Sequence, residues 1–163
     1  MSIISLSSGV VLSSVSSARE KLRLAQMRSD VEQYRKAFTF GYDRYGGYPQ
    51  GAQSGPSSYC LGPSPSCSSG GDPVVNGIVL ESLPSLPDAG FFKYYWAPGA
   101  SPMYGPSYEY YTCTSTNGST DSKNACSTAA IKWWSSPLPC SQGTGFLFPG
   151  SNPSIYLCTL VLN

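Results

Sequence analysis

From Ile3 to Tyr45 the chain holds no proline, and only Gly9 and Gly41 interrupt a stretch dense in Ala, Leu, Gln, Met, Arg and Lys. Apolar residues recur there at intervals of three and four, which predicts one long helix. They fall into two stripes: Val11, Val15, Ala18, Leu22 and Ala25, then Leu24, Met27, Val31, Tyr34, Phe38, Tyr42 and Tyr45. At about 100° of rotation per residue, Leu22 and Leu24 stand on roughly opposite sides. The helix therefore changes partners midway. Two arrangements satisfy this pattern. In one, a curved helix wraps into a single core. In the other, the C-terminal half packs on its own domain while the N-terminal half projects toward other copies. The pattern alone leaves both open.

The helix is expected to stop at Gly46-Gly47-Tyr48-Pro49, where glycine removes helix propensity and proline restricts its predecessor. Residues 50–73 are rich in Gly, Ser and Pro and read as irregular. A short helix follows over about Val75–Leu83. Strand patterns then occupy Phe91–Trp96, Ser107–Thr114, Thr128–Trp134, Gly145–Phe148 and Ile155–Leu162, separated by Gly, Pro, Asn and Ser clusters. The last is apolar enough to be central in an antiparallel sheet. The expected fold class is α+β: a helical segment, residues 1–49, packed on a sheet-bearing head, residues 50–163, with disulfide-stapled loops.

Charge sharpens this division. Residues 1–44 carry seven Lys/Arg against four acids, whereas the rest of the chain carries three Lys and five acids. The head draws its polarity from Ser, Thr, Asn and Tyr, as secreted proteins do. No dense basic field exists to bind a phosphate backbone, which argues against nucleic acid as the main partner. The spacings Glu20/Arg23 and Glu32/Lys36 suit surface ion pairs on the helix.

All six cysteines lie in the head, at Cys60, Cys67, Cys113, Cys126, Cys140 and Cys158. Many pairings are open to six cysteines. Proximity along the chain favours Cys60 with Cys67, Cys113 with Cys126, and Cys140 with Cys158, each contributing ~2–4 kcal/mol. Disulfides imply an oxidising compartment. The chain has no histidine and no Cys-x-x-Cys spacing, so zinc is disfavoured. Ser2–Val15 is too short and too often interrupted for a membrane span, which needs ~20 apolar residues. It reads as the tail end of a longer apolar segment.

The run Ser16-Ser17-Ala18-Arg19-Glu20-Lys21, then Ala25-Gln26-Met27-Arg28-Ser29-Asp30, then a helix ending Tyr45-Gly46-Gly47-Tyr48-Pro49, resembles the post-membrane helix of type IV pilins. The similarity covers about residues 10–49. That family continues into a variable loop, an antiparallel sheet and a C-terminal disulfide, a role that Cys140 and Cys158 would fill. No leader-cleavage motif of the family stands in this sequence.

The resemblance implies a structural subunit of an extracellular type IV pilus or fimbrium. Ile4, Val11, Val15, Ala18, Leu22 and Ala25 would then form a filament core. Leu24, Met27, Val31, Tyr34 and Phe38 would pack on the head. The implied partners are further copies in a helical filament, the pilus assembly machinery, and the inner membrane before assembly. Adhesion, motility or DNA uptake would follow from surface loops. The alternatives are a type II secretion pseudopilin and a secreted, aromatic-rich binding module.

No enzyme is expected. Histidine is absent, no Ser-x-x-Lys pair stands in the chain, and the acids are scattered. No cofactor is implied. Asp72, Asp88 and Asp121 lack calcium-loop spacing and read as solvated loop acids. Clusters around Trp96, Tyr108–Tyr111, Trp133 and Trp134 suggest an adhesive patch for a surface ligand, set against ordinary sheet packing. Asn117-Gly118-Ser119 is a glycosylation triplet in a loop expected to be exposed.

Overall fold

The computed structural model describes residues 3–50, 58–62, 73–87, 108–111, 122–135, 140, 142–147 and 156–163. Of these, 3–13, 58–60, 108–111, 122, 125 and 134 are described as backbone only. The fold is α+β. Helix α1 spans Ile3–Tyr45, matching the expected bounds. It ends because Gly46 takes a φ of 79°, and its amide donates to the Tyr42 carbonyl at 2.7 Å. This left-handed stop is cheapest for glycine.

Strand β1 (Tyr48–Gln50) follows at once and pairs antiparallel with β4 (Ser122–Cys126) in a two-stranded sheet. Gly47 is required there, since a Cβ would stand 2.6 Å from the Asn124 carbonyl oxygen. Strands β2 (Ser58–Leu61), β3 (Tyr108–Tyr111), β5 (Ala129–Ser135), β6 (Thr144–Leu147) and β7 (Tyr156–Leu162) form the main sheet. Its order is β2-β3-β5-β7-β6, antiparallel throughout. The last strand is thus an inner one, although β5 holds the middle.

Helix α2 (Pro73–Leu80) starts on a proline, whose missing amide hydrogen costs nothing in a first turn. It buries Val75, Asn76, Ile78 and Val79. The Asn76 side-chain oxygen accepts the amide of Gly62 at 3.3 Å, which ties the end of β2 to α2.

One core joins these parts. Met27, Val31, Tyr34 and Phe38 from α1 meet Val75 and Ile78 from α2, Ile131 and Trp133 from β5, and Cys158 and Leu162 from β7. Tyr34 keeps its hydroxyl satisfied by donating to the Pro87 carbonyl at 2.8 Å. Buried Asp30 accepts from the Gln26 amide at 2.7 Å. Gly41 lets α2 approach α1, because a Cβ there would lie 2.6 Å from Ile78 Cγ2.

Three expectations need correction. Residues 50–73 are not wholly irregular, since β2 lies within them, and its hydrogen bonds come from β3, far away in sequence. The loop expected to be exposed around Asn117 would run from Cys113 to Cys126, but its last residues, Ser122–Cys126, are the strand β4, paired to β1, and Cys126 is buried. The short helix begins earlier and ends earlier than Val75–Leu83. The expected strand Phe91–Trp96 lies outside the described residues.

Candidate functional site: the outward face of the first helix

The two stripes of α1 have opposite fates. Met27, Val31, Tyr34 and Phe38 are at most 2 % exposed, and Leu24 packs partly buried against the same core. Val15 and Leu22 are 42 % and 71 % exposed. Ala18 and Ala25 are exposed beside them. Between Ser14 and Gln26 no side chain is fully buried, and burial begins abruptly at Met27. Ile4 and Val11 share the phase of Val15 and Leu22 on the helical backbone.

Polar groups flank this stripe. Arg19, Lys21, Arg23 and Arg28 are exposed, with Glu20 half-buried. Among the described residues Glu20 and Arg23 form no ion pair. Glu32 pairs with Arg35 at 2.9 Å instead of with Lys36. One further apolar residue was missed by the sequence reading. Phe40 is 66 % exposed and stands about five full turns beyond Leu22 on the same face. Its phase was the available signal.

Phe40 rims an open cleft of about 520 Å³ between α1 and α2, with Asp43, Arg44, Ile78 and Glu81. At one end of the cleft the Tyr45 hydroxyl donates to Glu81 Oε1 at 2.8 Å. Lys123 Nζ donates to that hydroxyl and to Glu81, each at 3.1 Å. Its ammonium also lies 4.6 Å from the centre of the Tyr45 ring. Arg44 reaches the same carboxylate at 3.4 Å. The Tyr45 hydrogen bond, followed by that of Lys123, holds the Glu81 carboxyl below its ordinary value. The same partners raise the Lys123 ammonium. No local sequence pattern announces a cluster assembled from α1, the end of α2 and β4.

A second cleft of about 330 Å³ lies between α1 and β7, lined by Arg35, Thr39, Tyr48 and Leu160 among others. Burial, then the nearby Tyr42 and Asp43, push the Tyr48 hydroxyl up.

Cys140 and Cys158 are disulfide-bonded, with Cα atoms 5.6 Å apart. Cys126 is also disulfide-bonded. Among the described residues no cysteine is free. Cys67 and Cys113 lie outside those residues, and Cys60 is described by its backbone alone, so the pairings 60–67 and 113–126 lie outside them too.

The adhesive patch must be corrected at Trp133, which is 2 % exposed and part of the core. Trp96 and the Trp134 side chain fall outside the described residues, as do Asn117, Asp72, Asp88 and Asp121. Among the described residues no three side chains are grouped to hold a metal ion. No described helix is long and apolar enough to cross a membrane. No protein-family model, characterised protein or solved structure matches the chain.

Proposed function

We propose that this chain is a non-enzymatic structural subunit of an extracellular filament of the type IV pilus kind, assembling through the N-terminal half of α1. The observation that carries this reading is the exchange of faces along one continuous helix. Its C-terminal half is clamped into the head through Met27, Val31, Tyr34 and Phe38, while Val15 and Leu22 remain exposed.

A helical stretch without tertiary packing is marginal in water at this length. An exposed apolar stripe also marks an interaction surface. Burial against further copies would relieve both problems at once. The disulfide at Cys140–Cys158 suits an oxidising compartment, in keeping with a cell-surface location. The helix, the antiparallel sheet and a late disulfide follow the order that the pilin resemblance implies. The competing reading, a monomeric aromatic-rich binding module, is weakened by the burial of Trp133.

Cryo-electron microscopy of native surface filaments tests the proposal. Helical density that spells this sequence, with residues 3–25 buried against further copies of the chain, is the expected result. Recovery of the chain only as monomers, or in filaments whose α1 lies open to solvent, would overturn it.

A further inference from the structure

We infer that the cleft between α1 and α2, rimmed by Phe40 and Asp43, receives the Val15–Leu22 stripe of a second copy of the chain. This rests on the filament reading above and names the surface on which the stripe lands.

The first argument is that the outward position of Phe40 is imposed by its neighbours. Phe38 is fully buried, and Gly41 sits against Ile78 so closely that a Cβ would meet it at 2.6 Å. Those two contacts fix the rotation of α1 about its axis. With 38 and 41 turned inward, residue 40 must face out, and an exposed Phe remains where a polar residue would be the ordinary choice.

The second argument identifies the occupant. Leu22 and Phe40 belong to one helix and stand ~27 Å apart along it, at a rise of ~1.5 Å per residue. A chain therefore cannot fold its own stripe onto its own cleft. A second α1 lying along the outward face, shifted by about that distance, would set its Leu22 beside Phe40 of the first. Stripe and cleft are different surfaces, so each copy still has one of them open after pairing. Contacts of this heterologous type propagate instead of closing on a dimer.

Charge favours the same occupant. Around the cleft, Glu81 is joined to Arg44 and Lys123, while exposed Asp43 has no ion pair among the described residues. The stripe is flanked by Arg19, Lys21 and Arg23 against the single acid Glu20. A basic-flanked apolar strip thus meets an apolar cleft with a spare carboxylate on its rim, and the wrong register would place like charges together.

Sedimentation velocity of the full, oxidised chain over a concentration series tests this, with circular dichroism confirming that each variant keeps its helix. Leu22→Ser and Phe40→Ser should each raise the concentration needed for association at least tenfold. Asp43→Lys should also weaken association, and adding Arg23→Glu, the basic residue that the same shift brings nearest to Asp43, should restore it. If Leu22→Ser weakens assembly while Phe40→Ser and Asp43→Lys leave it unchanged, the cleft is not the landing site and the filament reading stands. A wild-type chain that stays monomeric, or assembly indifferent to Leu22→Ser, would instead sink the filament reading and this inference with it.

Discussion

Phe38 and Phe40 are two residues apart on one helix, of the same type, and face opposite environments, so truncating each to alanine isolates the helix phase on which the functional reading depends. Phe38 is fully buried between α1 and the sheet, whereas Phe40 is 66 % exposed. Removing a buried Phe side chain costs about 3–5 kcal/mol in lost transfer energy and residual cavity. Alanine is the better helix former by a few tenths of a kcal/mol, roughly 0.5, which offsets little of that cost. Set against total stability of about 5–15 kcal/mol, Phe38→Ala should lower the urea midpoint sharply. In Phe40→Ala there is almost no burial to lose, so the propensity gain decides the sign. The expected change is within about 0.5 kcal/mol of zero. Urea unfolding followed by far-ultraviolet circular dichroism, at concentrations too low for association and with the disulfides oxidised, measures both. A cost for Phe40→Ala above about 2 kcal/mol, or one below about 1 kcal/mol for Phe38→Ala, would place the wrong face inward. The proposed interface would then have no basis.

Three further outcomes are expected. Replacing Cys140 and Cys158 together by serine opens a crosslink between residues 18 apart, which should cost about 2–4 kcal/mol in thermal or denaturant unfolding. Gly145→Ala directs a methyl group to 2.6 Å from Cys140 Sγ; a loss of about 1–3 kcal/mol is expected, smaller in the background lacking that disulfide. Acid titration of the folded state should reveal Glu81. Its carboxyl is held down by the Tyr45 hydroxyl and then by Lys123, so its stabilising contribution is present above the ordinary value of 4.5 and disappears as the pH falls through the lower folded value. The raised ammonium of Lys123 acts in the opposite sense: its contribution holds below 10.5 and fades as the pH rises through the higher folded value. Glu81→Gln should flatten the acid limb of a stability-against-pH profile; an unchanged limb would refute the assignment.

The parts of the fold that could be read in the sequence are those whose signals are local. Helix α1 has its period, its absence of proline and its Gly46 stop within one continuous stretch, and both of its stripes were visible from spacing. The strands β5 and β7 are long enough for β-branched and apolar residues to mark them. By contrast, β1, β2 and β4 are three to five residues long and exist because distant segments pair with them: Tyr48 with Cys126, and Leu61 with Tyr108. Propensity contains no information about such partners, and a breaker-rich neighbourhood hides them further. The mistake at Trp133 is of another kind, because its correction was already available. In a strand, adjacent residues point to opposite faces, so Trp133 and Trp134 could not both belong to one patch. The register pairs Trp133 with Cys158 and Trp134 with Leu157, and the face that includes Cys158 is the core.

The same principle of phase explains why the head and the exposed stripe of α1 cannot be treated as independent modules. An α-helix transmits rotation along its length, because each residue is fixed to the next by the backbone hydrogen-bond ladder. The orientation of Leu22 is therefore set by what happens many residues later. Tyr34 is fastened to the Pro87 carbonyl, Gly41 is seated against Ile78, and the chain turns off the axis at Gly46 under a left-handed φ. Those fastenings fix the angle at which the stripe leaves the head. Gly41→Ala forces Ile78 or α1 to move, and even a small turn or tilt of α1 at that point is carried along the rigid helix, ~1.5 Å of lever arm per residue, to Leu22. Assembly should therefore be sensitive to Gly41, a buried position that lines the cleft and also sets the angle of the helix. In the sedimentation series, a folded Gly41→Ala chain with weakened association and intact helicity is the expected result. Wild-type association by that variant would show that the outward stripe tolerates rotation, and that its partner reads apolar character alone.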